Sequence, residues 1–230
     1  MAKRCLLYYI TDRTAFPGDE SDRRRLLLEK IREAANAGVD YIQLREKDLT
    51  TRELESLARD AVHAIWEIAR KNCGPSSVPA LVINSRTDVA LAAGADGVHL
   101  RSDDITPGDV RKIWAHYGTG TPFDTLRPSA VQPTPFIAVS CHSSAYVIRA
   151  EAWRARLAVL APVFEKHDAQ PTGLEALREA SKSKIPVLAL GGVTLANARS
   201  CLDAGAAGIA AIRLFQENRI ADVVRQLRNL

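Results

Sequence analysis

Short apolar runs rich in Val, Ile and Leu recur along the chain, and a longer amphipathic stretch follows each. The runs are Leu6–Ile10, Tyr41–Leu44, Ala80–Asn84, Gly97–Leu100, Phe136–Val139, Leu157–Ala161, Val187–Leu190 and Gly208–Ile212. Most are continuous and do not alternate apolar with polar, the pattern of strands buried on both faces. The intervening stretches read as helices. Asp22–Ala37 carries Leu26, Leu27, Ile31 and Ala34 at helical spacing and stops at Gly38. Thr51–Asn72 opens on a capping box made by Thr50 and Glu53 and ends before Gly74-Pro75. Thr106-Pro107 sets a cap before a proline at the first helical position, ahead of Ile113-Trp114. Thr87–Ala93, Ser143–Arg154, Gly173–Ser183, Thr194–Ala204 and Ile220–Leu230 complete the series.

Strand-then-helix units in this order, with no break in composition, predict an α/β fold: a single (β/α)8 TIM barrel over residues 1–230. Two doubly wound halves are the alternative. Three related segments, Asn36-Ala37-Gly38-Val39-Asp40, Ala93-Gly94-Ala95-Asp96-Gly97 and Asp203-Ala204-Gly205-Ala206-Ala207-Gly208, each place a helix end, a glycine stop and a strand start in the same order. They read as structural turns at the bottom of the barrel. Residues 118–135 contain Pro122, Pro128, Pro133 and Pro135 without periodicity, and read as an irregular insertion between helix 4 and strand 5.

Composition narrows the function classes. The chain has 230 residues, 47% of them hydrophobic and 25% charged, the profile of an ordinary globular protein. Its formal net charge is +4. The one dense basic run, Arg23-Arg24-Arg25, opens an amphipathic helix, so a solvated helix start is favoured over a nucleic-acid stripe. A mild positive balance suits an anionic small molecule. Cys5, Cys73, Cys141 and Cys201 are too far apart for a metal knuckle or a redox pair and read as buried thiols. No run approaches the ~18 apolar residues of a membrane span. The expected setting is cytoplasmic, with no nucleic acid, no membrane and a homo-oligomer left open.

In such a barrel the chemistry sits at the C-terminal ends of the strands. There the chain places Thr11-Asp12-Arg13, Gln43-Leu44-Arg45-Glu46-Lys47, Asn84-Ser85-Arg86, Arg101-Ser102-Asp103-Asp104, Ser140-Cys141-His142 and Gly191-Gly192. Gln43, Arg45 and Lys47 alternate, so in an extended segment they share one side, opposite Leu44 and Glu46. Three converging donors suit a phosphate or pyrophosphate; the bland reading has Arg45 paired with a carboxylate inside the barrel. The Gly191-Gly192-Val193-Thr194 turn and the helix after it offer backbone N–H groups to a phosphate, with Arg213 adding charge from strand 8 or lying idle on the surface. His142 is positioned for acid/base work or is a hydrogen-bonded loop residue. His99, inside an apolar strand, reads as structural. Asp103 and Asp104 either bind Mg2+ with a phosphate or cap the helix that follows.

Together these residues resemble the thiamine phosphate synthase/TenI family. The resemblance is carried by Tyr9-Ile10-Thr11-Asp12-Arg13, Gln43-Leu44-Arg45-Glu46-Lys47, Asn84-Ser85-Arg86-Thr87-Asp88, Gly94-Ala95-Asp96-Gly97-Val98-His99-Leu100, Ser140-Cys141-His142-Ser143, Pro162-Val163-Phe164 and Gly191-Gly192-Val193 with Asn197. It runs in order over nearly the whole chain outside 118–135. It implies a barrel that binds a thiazole phosphate and, in the synthase, a hydroxymethylpyrimidine pyrophosphate that loses pyrophosphate to give a cation captured by the thiazole nitrogen. By the resemblance Gln43, Arg45 and Lys47 match pyrimidine-pyrophosphate positions, Asn84 and Ser140 further substrate contacts, Gly192 the thiazole-phosphate site, and Asp104 one of two Mg2+ ligands.

The departures matter. The synthase pattern has Asn-Asp where this chain has Asn84-Ser85, Gly-Gln at Arg101-Ser102, Thr-x-Thr-Lys near Lys166-His167-Asp168-Ala169, and Ser-Ala at Arg213-Leu214. Losing a carboxylate weakens a Mg2+ site. TenI-like relatives also lack that Asp and tautomerise a thiazole carboxylate phosphate without metal, with an acid/base at the position of His142. Gln43 and Lys47 fit the synthase better. On this balance the sequence favours a TenI-like thiazole tautomerase or divergent relative using His142 and Lys47. The alternatives are the synthase, with Mg2+ then a possible cofactor, and a non-catalytic phosphate-ligand binder.

Overall fold

The computed structural model describes residues 4–71, 78–117, 134–164 and 170–230. Eight parallel strands, β1 (Leu6–Ile10), β2 (Tyr41–Leu44), β3 (Ala80–Asn84), β4 (Gly97–Leu100), β5 (Phe136–Cys141), β6 (Leu157–Leu160), β7 (Val187–Ala189) and β8 (Gly208–Ala211), pair in sequence order. Pairing of β1 with β8, Leu6 opposite Gly208, closes the barrel. The (β/α)8 expectation is met, and the doubly wound alternative falls because closure leaves the sheet without edges.

Alternation sorts each strand into two environments. Leu7 and Tyr9 of β1 face outward into the shell shared with the helices, while Tyr8 and Ile10 join Val82, Ala138, Leu157, Val159, Leu188 and Ala210 inside the barrel. Around it run α1 (Glu20–Ala37), α2 (Thr51–Lys71), α3 (Thr87–Ala93), α4 (Pro107–Tyr117), α5 (Ser144–Ala152), α6 (Gly173–Ala180), α7 (Ala198–Asp203), α8 (Arg213–Gln216) and α9 (Ile220–Arg228). None among the described residues is long and apolar enough to cross a membrane.

The local signals have the expected causes. Thr50 and Glu53 bond reciprocally, Thr50 N–H to Glu53 Oε2 at 2.9 Å and Glu53 N–H to Thr50 Oγ1 at 3.4 Å. The repeated Gly-x-Asp turns are structural. Gly38 and Gly94 cap α1 and α3 in the left-handed region. The aspartate two residues later then accepts the N–H of a neighbouring strand, Leu7 to Asp40 at 2.7 Å and Leu81 to Asp96 at 2.8 Å. The third copy, at Gly205, has Ala207 in the aspartate position.

Several boundaries differ from expectation by a few residues, and three of the differences bear on the rim. Helix α1 starts at Glu20, because Asp19 accepts the Asp22 N–H and acts as the cap. The helix expected from Thr194 starts only at Ala198, because the Asn197 side chain takes the Thr194 N–H at 2.7 Å and holds an open turn. Strand β8 stops at Ala211, and Arg213 opens the short helix α8 that sequence periodicity missed. Of the proposed insertion, residues 118–133 lie outside the described residues, as do Cys73 and the Lys166-His167-Asp168-Ala169 segment.

Candidate active site

Parallel closure brings every strand's C-terminal end to one rim. The segment leaving β2 builds two different environments there. On its outer side the Glu46 carboxylate is buried. It accepts the Thr11 hydroxyl at 2.5 Å, the Arg13 N–H at 3.0 Å and the Arg13 guanidinium at 3.4 Å. Burial pushes the Glu46 carboxyl above its ordinary value, against the pull of Thr11 and Arg13. Arg13, 4% exposed, also holds Asp48 in a fork at 2.7 and 2.9 Å and Glu20 at 2.9 Å. Thr11 Oγ1 in turn accepts the Arg45 N–H at 3.0 Å. The network therefore fixes the backbone from which Gln43 and Arg45 project. A carboxylate partner had been the bland expectation for Arg45. The buried arginine that takes that role is Arg13 instead, and Arg45 has no ion-pair partner among the described residues.

On the inner side, Gln43 is 2% exposed and donates from Nε2 to Asn84 Oδ1 at 2.8 Å. Its Oε1 is buried with no partner among the described residues. Such an orphaned acceptor costs about 1–3 kcal/mol unless a ligand supplies a donor. Asn84 passes the chain on from Nδ2 to Ser85 Oγ at 3.2 Å. Ser85 sits at φ 60, a left-handed conformation that is strained for serine, and its N–H donates to the His99 carbonyl at 2.9 Å. Lys47 lies exposed at the same rim.

Beneath this, Ser140 of β5 meets His99 of β4, Oγ to Nε2 at 2.7 Å, and His99 Nδ1 meets the Tyr8 hydroxyl at 2.8 Å. His99 is buried as expected, yet bonded to a candidate substrate contact. Burial, helped by the Arg45 charge and opposed by Asp104, pushes its imidazole down to about 3. His142 is exposed and donates from Nδ1 to the Ala161 carbonyl at 2.7 Å, because a carbonyl can only accept. Its Nε2 has no hydrogen-bond partner among the described residues.

Across the rim, Gly191 (φ 94) and Gly192 (φ 66) take backbone conformations open to glycine, and a Cβ on Gly191 would lie 2.6 Å from Pro162 Cβ. Phe164 N–H donates to Gly191 O at 3.0 Å, and Asn197 Nδ2 to Gly192 O at 3.0 Å. No hydrogen bond among the described residues uses the N–H of Gly192 or Val193. Helix α7 starts too late to contribute its N-terminus, so the anion-binding potential here lies in the turn's backbone alone. Arg213 is exposed at the start of α8. That helix is locked to β1 by Gln216, whose Nε2 donates to Asp12 O at 2.6 Å while its Oε1 accepts from Tyr9 and from the Asp12 N–H.

A divalent cation does not fit the acidic residues present. Asp104 gives Oδ2 to the Arg101 N–H at 2.7 Å and Oδ1 to the Arg101 guanidinium at 3.2 Å, and Asp103 reaches the same guanidinium at 3.5 Å. Ser85 offers only a neutral oxygen, and no group of three metal-ligating side chains occurs among the described residues. Asp104 is thus an anchor for Arg101, which differs from its expected ligand role. The described thiols are poor nucleophiles: burial raises Cys141 to about 12 and Cys201 to about 11.

Residues 7–215 match the family model for thiamine monophosphate synthase. The thiamine-phosphate synthase of Methanoculleus marisnigri is 35% identical over 229 residues, covering 97% of this chain and 93% of that protein. The thiamine-phosphate synthase of Syntrophomonas wolfei is 34% identical over 230 residues, covering 97% and 95%. A solved thiamine phosphate pyrophosphorylase from Pyrococcus furiosus superposes with a TM-score of 0.73 at 30% identity, covering 99% of this chain and 95% of that one.

Proposed function

The chain belongs to the thiamine monophosphate synthase family, and from that premise we propose that it joins a hydroxymethylpyrimidine pyrophosphate to a thiazole phosphate with release of pyrophosphate. The sequence alone leaned toward the tautomerase. The synthase names of the relatives support the alternative it had weighed. The observation that carries the reading is a buried Gln43 acceptor beside an Arg45 guanidinium, neither with a partner among the described residues. A pyrimidine ring bearing N–H donors and a pyrophosphate is complementary to both.

In this reaction the carbon–oxygen bond of the pyrimidine breaks and its electron pair leaves with pyrophosphate. The thiazole nitrogen then gives its lone pair to the pyrimidine carbon, closing the carbon–nitrogen bond. Arg45 and Lys47 stabilise the charge that develops on the departing group. Gln43 and Asn84 hold the pyrimidine, and Ser140 contacts it from below. The Gly192 and Val193 N–H groups with Arg213 hold the thiazole phosphate. Mg2+ would neutralise a departing pyrophosphate, but Asp104 is already held by Arg101.

The test is thiamine phosphate formation from the two substrates. The parent is expected to form product and Lys47→Ala to lose about 10- to 100-fold, the worth of a charge-assisted contact. The His142 geometry supports the second reading, since Nδ1 is committed to the Ala161 carbonyl and Nε2 has no partner among the described residues. If the parent forms no product, and proton exchange on the thiazole carboxylate phosphate collapses in His142→Ala, the tautomerase replaces the synthase. Exchange that is equally fast in parent and variant removes the tautomerase.

A further inference from the structure

Tyr8 is wholly buried inside the barrel, and the proposed chemistry gives it no part. Its hydroxyl lies 2.8 Å from His99 Nδ1, and among the described residues that is its one hydrogen-bond partner. It belongs to the apolar cluster inside the barrel, with the Tyr41 ring packed edge-on at 5.8 Å. His99 Nε2 lies 2.7 Å from Ser140 Oγ. Burial holds both Tyr8 and His99 in their neutral forms.

A neutral imidazole carries one N–H and one lone pair, so the three groups can be wired in two directions. In one, Ser140 donates to Nε2 and Nδ1–H donates to Tyr8. The buried Tyr8 proton then has no acceptor among the described residues. In the other, Tyr8 donates to Nδ1 and Nε2–H donates to Ser140 Oγ. Both Tyr8 and His99 are then satisfied, and the Ser140 proton is left to donate to a ligand. Because an unsatisfied buried donor is penalised, the second direction wins.

We propose that Tyr8 is a positioning residue that fixes His99 as the Nε2–H tautomer, so that Ser140 meets the substrate as a hydrogen-bond donor. Ser140 is thereby matched to a lone pair on the ligand, a ring nitrogen or a phosphoryl oxygen, and not to an N–H. The inner rim then has a fixed polarity: Gln43 Oε1 accepts and Ser140 donates, an arrangement that orients a heterocycle bearing both kinds of edge. The choice of ligand rests on the synthase reading, whereas the wiring does not.

Nitrogen-15 NMR of the histidine-labelled protein reads the tautomer directly, with His99→Gln assigning the signal. The parent should show a protonated Nε2 and an unprotonated Nδ1, unchanged from pH 5 to 8, a window above the about 3 to which burial holds this ring. Tyr8→Phe removes the one donor to Nδ1, and the tautomer ratio should move at least about tenfold toward Nδ1–H. In turnover, Tyr8→Phe should lower kcat/KM by about tenfold, and Ser140→Ala should cost much less in that background than in the parent, since the two act as one unit. A parent signal with Nδ1 protonated, or a ratio unmoved in a folded Tyr8→Phe, overturns the proposal. A protein that shows the expected tautomer yet forms no thiamine phosphate upholds the wiring and sinks only the synthase reading.

Discussion

The five residues that follow one another from Gln43 to Lys47 build two unlike regions back to back. On the outer face Glu46, Thr11, Arg13, Asp48 and Glu20 are paired with one another. On the inner face Gln43 keeps a buried oxygen without a partner, and Arg45 has no carboxylate among the described residues. Both regions are polar with a buried centre, Arg13 and Glu46 in one and Gln43 in the other, and both involve one stretch of backbone, so composition cannot explain the contrast. What separates them is satisfaction. A saturated network has no valence left for a ligand and serves as scaffold. An unsaturated one carries a standing cost that binding relieves.

Breaking the outer region should have the largest effect. Arg13→Ala leaves Glu46 buried without its cation, and unfolding by urea should show a loss of about 3–5 kcal/mol. The fork from Arg13 to Asp48 adds little to this, because Asp48 is largely exposed. The inner region should answer in function instead. Arg45→Ala should leave the urea midpoint unchanged or slightly raised while kcat/KM for the pyrimidine substrate falls by about 100-fold, the upper end for a charged hydrogen bond. If both variants lose stability equally, the two faces do not differ in the way argued.

The barrel interior beneath the site sharpens the comparison through pH. His99 is held neutral, from an ordinary 6.5 down to about 3, so the unfolded chain binds its proton first. Its contribution to stability is therefore complete above 6.5 and is lost as pH falls toward 3. Urea midpoints between these limits should fall with decreasing pH in the parent, and much less in His99→Gln. Smaller still is the effect of Ser85→Gly, which removes the strain of a left-handed serine. It should change stability by no more than about 1 kcal/mol, because glycine's added freedom in the unfolded chain offsets the relief. Smallest of all, Mg2+ titrated calorimetrically into the substrate-free protein should give no saturable heat in either the parent or Asp104→Asn. A site lost on that substitution would restore Asp104 as a ligand.

The scaffold was more legible than the wiring. Buried parallel strands are continuous apolar runs, so β1 to β4 fall where the pattern places them. The alternation holds within β2, where Ile42 and Leu44 join the outer shell and Gln43 lies opposite them, and the strand ends there, with Lys47 in a turn. Other features depend on partners far along the chain. Arg13 is one of several polar residues after β1 until Glu46 and Asp48 close on it. His99 reads as plain core until the barrel register sets β4 beside β5 and Ser140 comes within reach. Local competition also blurred some boundaries. Asn197 spends its side chain on Thr194 and delays α7, and a four-residue helix at Arg213 is too short to show a period.

The central claim is that the unsatisfied inner face is where the pyrimidine substrate binds. Calorimetric titration of hydroxymethylpyrimidine pyrophosphate into the parent, Arg45→Ala and Gln43→Ala tests it most directly. Each variant should bind at least about tenfold more weakly, with the urea midpoint unchanged in Arg45→Ala and lowered in Gln43→Ala, which also loses its bond to Asn84. Affinities equal to the parent's in both variants would contradict the account.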